Sequence, residues 1–292
     1  MAELLISYSS DSSSICYACR HRVRNTKKQS NHLWSPPMRR IALLASAIAI
    51  LCSQAQADTL GIHAGYGNWN QDVSGIVQLD GSADQPGFID RIDLQNTLGH
   101  DSTDGAMLWL AFEHPVPFLP NVKLARTEAD SAARTVLTTG IDYGDISIPV
   151  STTVNSQVDL SHTDYVLYYE LLDNWFELDL GVDVKQFDGV ASISGAGQSE
   201  FEEFDDYVPF LYTSFNFNLP LTGLKVGGEY SGISAGGARG QDYRVRIGYE
   251  FSFGLGIEAG QRHLTLEADD SDEEFTGDIE FKGTYIAATY HF

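Results

Sequence analysis

Ionic residues keep to one parity along 175–187 and again along 242–253. Glu177, Asp179, Asp183 and Lys185 share one parity of the first stretch, and Asp242, Arg244, Arg246 and Glu250 share one parity of the second. Side chains on a strand alternate between its two faces. The opposite faces are therefore wholly apolar: Phe176, Leu178, Leu180, Val182 and Val184 in the first stretch, Tyr243, Val245, Ile247, Tyr249 and Phe251 in the second. Both signs of charge stand on the polar faces, so the chemistry on offer is ion pairing across a shared interior.

Acid–base chemistry has weaker support. Three histidines stand near carboxylates: His100 with Asp101 and Asp104, His162 with Asp159 and Asp164, and His263 with Asp269 and Asp270. General catalysis would need such groups within hydrogen-bond reach of one water. Histidines near strand ends read first as polar rim residues. No metal site or cofactor is expected either. Cys16, Cys19 and His21 form an incomplete zinc set. The acidic runs (Glu200, Glu202, Glu203, Asp205 and Asp206, then Asp269, Asp270, Asp272, Glu273, Glu274, Asp278 and Glu280) lack EF-hand spacing and read as solvated loop charge.

The positioning elements follow from the rest of the chain. Of its 292 residues, 40 are acidic and 18 basic, and seven of the basic ones precede residue 58. From 58 onward 11 basic residues face 38 acidic ones, a formal charge of −27. That balance argues against nucleic acid as a partner. Residues 38–57 read as a secretory signal: Met38, Arg39 and Arg40, then an apolar run from Ile41 to Leu51, then Ala55-Gln56-Ala57, with cleavage expected between Ala57 and Asp58. Residues 1–37 fit no export pattern and read as a disordered extension from a mis-assigned start, with Met38 the initiator. All three cysteines, Cys16, Cys19 and Cys52, fall before the cleavage point.

Beyond Asp58 no apolar run approaches the length of a membrane helix, and period-two alternation dominates. Short connections (115–120, 172–174, 219–221 and 253–254) alternate with longer polar ones (72–102, 131–157, 189–205, 234–240 and 268–278). This is the rhythm of an outer-membrane barrel, tight turns inside and long loops outside. The expected class is all-β: a closed antiparallel transmembrane β-barrel of about ten strands over 58–292. The strands are expected at 59–71, 103–114, 120–130, 158–171, 175–188, 206–218, 221–233, 240–253, 254–267 and 279–292. Phe88 to Leu98 is open as a further strand, which would allow twelve, or as a helix or inward-folded segment.

With apolar faces outward, the lumen receives Glu113, Lys123, Asp164, Glu170, Glu177, Asp179, Asp183, Lys185, Lys225, Glu229, Arg244, Arg246, Glu250, Glu258 and Arg262. A ten-stranded barrel has limited internal room, so a filled, ion-paired lumen is the first expectation and a narrow ion or solute path the alternative. Trp175, Phe215, Phe217, Phe251, Phe253, Tyr290 and Phe292 are placed for an aromatic girdle at the periplasmic interface. Ile286, Ala288, Tyr290 and Phe292 share one face of the last strand and resemble the signal by which barrel-assembly machinery recognises its clients.

Glu113-His114-Pro115-Val116-Pro117, Leu119-Pro120-Asn121, Leu167-Tyr168-Tyr169-Glu170, Trp175 and the terminal Phe292 carry a wider resemblance. On these residues the chain resembles an uncharacterised family of proteobacterial outer-membrane β-barrel proteins, over most of 58–292. The resemblance implies fold and location in the outer membrane of a Gram-negative bacterium, and it brings no catalytic residues. A ten-stranded barrel is also the frame of the omptin proteases, which work with carboxylates and a histidine at the outer rim, but no omptin motif stands here. A rim-located hydrolase is thus the remote alternative. The expected protein is a monomeric envelope component, structural or interacting through its loops. Its expected partners are outer-membrane lipid, lipopolysaccharide and, during biogenesis, the assembly machinery.

Overall fold

Backbone amides left unpaired in hydrocarbon cost several kcal/mol each, so alternating strands with a lipid-facing side must close on themselves. The computed structural model describes residues 60–116, 118–235, 238–268 and 275–292. The expected leader and extension, Ala57 and Asp58, the three cysteines and the acidic run 269–274 lie outside the described residues.

The described residues are all-β. In chain order the strands are β1 (Gly61–Leu79), β2 (Ile92–Asp93), β3 (Thr103–Glu113), β4 (Asn121–Thr127), β5 (Asp130–Val136), β6 (Ile141–Tyr143), β7 (Ile146–Ile148), β8 (Thr153–Asp159) and β9 (His162–Leu172). They continue with β10 (Phe176–Phe187), β11 (Gly189–Gly195), β12 (Gln198–Phe204), β13 (Tyr207–Asn218), β14 (Leu224–Ala235), β15 (Ala238–Glu250), β16 (Leu255–Ala268) and β17 (Phe275–His291). Ten of these form an antiparallel ring in the order β1, β3, β4, β9, β10, β13, β14, β15, β16, β17. The ring closes where β17 pairs with β1, from His63 opposite His291 to Leu79 opposite Phe275. The cylinder is therefore ten-stranded, and the twelve-stranded option is set aside.

The end that carries both ends of the cylinder wall and the short turns is the periplasmic one. There the β15–β16 hairpin turns on Gly254 at φ +85°, where a Cβ would lie 2.2 Å from the carbonyl oxygen of His291. The β3–β4 turn is fastened by Asn121 Oδ1, which accepts from the His114 amide at 3.1 Å.

The opposite end departs from expectation. The segments expected as polar loops at 131–157 and 189–205 hold strands, and β5, β8, β11 and β12 form a second sheet in the order β12-β11-β8-β5. A small β6–β7 hairpin lies beside it, and an isolated bridge joins Ile89 to Ile141. Residues 158 and 159, expected within a barrel strand, belong to β8. The expected loop at 234–240 is instead a tight β14–β15 hairpin that pairs as far as Ala235 opposite Ala238. Phe88 to Leu98 contributes only the two-residue β2 and folds inward, with Ile92, Leu94 and Leu98 buried.

Polarity inverts along the strands that reach this cap. On β1 the expected end was residue 71, yet the strand runs on to Leu79, and Trp69, Val73, Val77 and Leu79 face inward while Asn68, Asn70 and Asp72 face water. On β17 the outward residues change from Ile286 and Tyr290 to Lys282 and Asp278 as Phe281 and Ile279 turn inward. A strand leaving lipid no longer needs an apolar outer face, and its inner face here meets protein. The result is one apolar core shared by the upper barrel wall (Trp69, Leu264, Phe281), the inward segment (Ile92, Leu94) and the cap (Ile141, Ile148, Val158, Ile193).

Candidate functional site in the barrel lumen

Many inward positions from the periplasmic end up to Lys185 are ionic, and they assemble into tiers. The upper tier centres on Lys185 of β10, whose Nζ lies 2.6 Å from Asp164, 2.8 Å from Asp242 and 3.2 Å from Asp183. Asp242 also accepts two hydrogen bonds from Arg262, at 3.0 Å from Nε and 2.7 Å from Nη2. Arg262 donates further to Thr127 at 2.7 Å and stacks over Trp69 at 5.1 Å. His162, expected at a rim, is wholly buried in this tier: Nδ1 lies 2.8 Å from the Leu160 carbonyl and Nε2 3.2 Å from Arg262.

The middle tier is built on Glu229 of β14. Lys123 and Arg244 each reach it at 2.8 Å and Arg246 at 3.0 Å. Arg246 continues to Asn216 at 2.7 Å and to Glu258 at 3.5 Å, and Tyr285 donates to Glu258 at 2.6 Å. Arg244 lies over the Trp109 ring at 4.7 Å. A buried ion pair is weak evidence for stability, because desolvation offsets most of the attraction; removing one member is what costs energy.

Below Glu229 the lumen widens into a cavity of about 300 Å³ that opens at the periplasmic rim. Its walls include Glu113, Glu170, Glu177, Asp179, Lys225, Glu250 and Glu258, with His63 and His291 stacked at 4.1 Å across the β1–β17 seam. Lys225 pairs with Glu250 at 2.7 Å, and Glu113 accepts from Tyr168 at 2.8 Å with His63 at 3.1 Å. The structure thus brings the ionic residues named from sequence into one lumen, in tiers, while the part above Lys185 is apolar instead of ionic. The alternation puts Asp242, the hub of the upper tier, on the face of Arg244, but the set of lumen residues named from sequence omitted it. That set also passed over the inward aromatics Trp109, Tyr168, Tyr212 and Tyr285, whose residue type alone does not separate lumen from lipid.

The three histidine sets do not converge. His100 lies inside the cap, its two ring nitrogens 2.8 Å from Ser131 Oγ and 2.9 Å from Ser156 Oγ, and burial lowers its pKa to about 4. His162 is in the lumen. His263 is on the outer face, 2.8 Å from Tyr243 Oη and 3.2 Å from Glu280. Elsewhere in the cap, backbone and hydroxyl hydrogen bonds from Ser82 hold the Asp145 carboxyl below its ordinary range, while burial and then Glu202 and Glu200 push the Tyr143 phenol up.

No family model matches the chain, and no curated protein matches it. Among solved structures it is similar to the outer membrane protease OmpT from Escherichia coli, at 12% identity over 81% of this chain and 98% of that one, with a TM-score of 0.40. It is also similar to the transport unit of the autotransporter AIDA-I from Escherichia coli, at 8% identity over 85% and 96%, TM-score 0.38. A third is Ail, the attachment invasion locus protein of Yersinia pestis, at 13% identity over 80% and 100%, TM-score 0.33. The location follows from the cylinder's own surface. Leu108, Leu110, Val122, Leu167, Val182, Val245, Ile247, Ile257 and Ile286 form an outward apolar belt, and Ile286 is 65% exposed. Trp175, Phe215, Phe217, Phe251, Phe253, Tyr290 and Phe292 are all exposed toward the periplasmic end. A closed sheet with that belt and that girdle has one solvent that suits it. The barrel resides in the outer membrane.

Proposed function

We propose that this chain is a non-conducting, non-catalytic outer-membrane barrel that serves the envelope as a structural or loop-mediated interaction component. The observation that carries the reading is the lumen: two ionic tiers lie across it, and the apolar core shared with the cap fills it above Lys185. Wide aqueous channels belong to barrels of 16 to 18 strands, and here the space that a path would need is occupied by paired side chains. The cap adds a folded, acidic outer surface as the part of the protein available to partners outside the cell. Lipid and lipopolysaccharide contact the belt, Ile286, Ala288, Tyr290 and Phe292 form the assembly signal, and the barrel works as a monomer.

The narrow-channel alternative rests on the periplasmic cavity. Planar-bilayer recording of the refolded chain separates the two. Silent membranes with verified insertion are expected; reproducible single-channel steps would overturn the sealed lumen and favour the channel. Hydrolysis of peptide or lipid A that disappears on replacing His162 or His263 would overturn the non-catalytic part.

A further inference from the structure

The four-stranded sheet of the cap ends on β12, which pairs with β11 along one edge and, among the described residues, with no strand along the other. The β6–β7 hairpin does not close that edge, because it packs beneath the sheet. Gly195 shares the inward parity of Ala191 and Ile193, and a Cβ placed on it would lie 3.3 Å from Ile148 Cδ1. An open edge presents a row of backbone N–H and C=O groups, to which another extended chain can add as a strand.

The side chains on this edge select which chain. Glu200, Glu202, Glu203, Asp205 and Asp206 follow one another within nine residues. No Lys or Arg stands between 188 and 206, nor in the stretches 79–85 and 141–148 that meet at the neighbouring β6–β7 turn. Glu200 and Glu202 share the inner parity of β12, and the Glu200 stem packs on that turn, with Cγ 2.8 Å from a Cβ placed on Gly144. Phe201, between them, faces water at 57% exposure. Such an edge repels a second copy of itself and attracts a basic strand with an apolar alternate face.

A second observation is independent of those charges. Tyr143 of β6 is 1% exposed, yet its hydroxyl has no hydrogen-bond partner among the described residues. A buried phenol ordinarily finds one. The carboxylates that bear on this hydroxyl are Glu202 and Glu200, so an unused oxygen stands beside the same two side chains.

We propose that the β12 edge takes up an extended basic segment of a protein outside the cell, which adds to the cap sheet as a fifth strand. Its alternate ammonium groups turn under the sheet to Glu200, Glu202 and the Tyr143 oxygen, each being a compact charge with three donors. The apolar side chains between them lie beside Phe201. β12 is seven residues long, so a segment of about seven residues covers it. The inference rests on the reading of the cap as the surface open to partners.

The test is calorimetric titration of the refolded full chain, in zwitterionic micelles at near-physiological ionic strength, with an end-blocked seven-residue peptide alternating lysine and valine. One saturable site is expected. Proline in place of every valine keeps the charge and removes the ability to pair, and should abolish binding. The double variant Glu200→Gln with Glu202→Gln should weaken binding about tenfold or more, the worth of one charge-assisted hydrogen bond, and Tyr143→Phe severalfold, while Asp101→Asn elsewhere on the cap leaves it unchanged. Absence of saturable binding, equal binding of the proline peptide, or undiminished binding by the double variant or by Tyr143→Phe would overturn the assignment. Conductance does not enter this test, so the strand site and the sealed lumen fail separately.

Discussion

Replacing Lys185 by Met probes the upper tier where it is most exacting. The ammonium is 1% exposed and serves three carboxylates within 3.2 Å. Arg262 continues to neutralise Asp242 after the change, but Asp164 and Asp183 are left with no cation at bonding distance. Met fills much of the same volume, so the loss is electrostatic and not a void. Breaking a buried pair from one side costs about 3–5 kcal/mol. Urea unfolding of the refolded barrel in micelles, followed by tryptophan fluorescence, reads the effect; at a slope of about 2 kcal/mol per M, the midpoint falls by about 2 M. The double variant Lys185→Met with Asp164→Asn should recover part of it, because one stranded charge is gone. A loss below about 1 kcal/mol, the value of an exposed pair, or a double variant less stable than the single one, would refute the claim that this tier is dry and mutually compensated.

Two further outcomes test the cap and the last strand. His100 is neutral in the folded cap down to about pH 4, whereas an unfolded histidine takes its proton near 6.5, so between those values the unfolded chain binds the extra proton. Stability is therefore complete above 6.5 and declines as pH falls toward 4; thermal unfolding across that window should show the slope, His100→Asn should flatten it, and an unchanged slope would refute the assignment. Phe292, 74% exposed at the end of the chain, contributes little burial. Phe292→Ala should lower the heat-modifiable folded fraction in cell envelopes while shifting the urea midpoint of refolded material by less than about 0.5 kcal/mol equivalent; an undiminished folded fraction would remove the assembly role.

The ten barrel strands were legible because lipid enforces strict alternation. Wherever one face meets hydrocarbon, as at Leu178 to Val184 or Tyr243 to Phe251, a one-residue slip would expose charge to lipid, and the sequence records that constraint. The ionic side of the lumen was legible for the same reason. The cap was not, because its strands are three to seven residues long, rich in Ser, Thr and Gly, and covered by water on one side. The continuation of β1 did leave a trace: Val73, Val77 and Leu79 keep the parity of Trp69. It was missed because the apolar face had moved from outside to inside, and a reading that equates apolar with lipid breaks at the level where the strand leaves the bilayer.

Most ion pairs of the two tiers join neighbouring strands, but a few contacts run across the cylinder. Lys123 on β4 meets Glu229 on β14, four places away round a ring of ten, and Arg262 on β16 meets Thr127 on β4 at the same separation. Lys185 on β10 reaches Asp242 three places away. A hollow tube of hydrogen-bonded strands resists stretching round its circumference but flattens easily into an ellipse. Struts that join nearly opposite walls remove that soft mode, so lateral pressure from the membrane is carried through the centre, and the cross-section on which the cap rests keeps its shape.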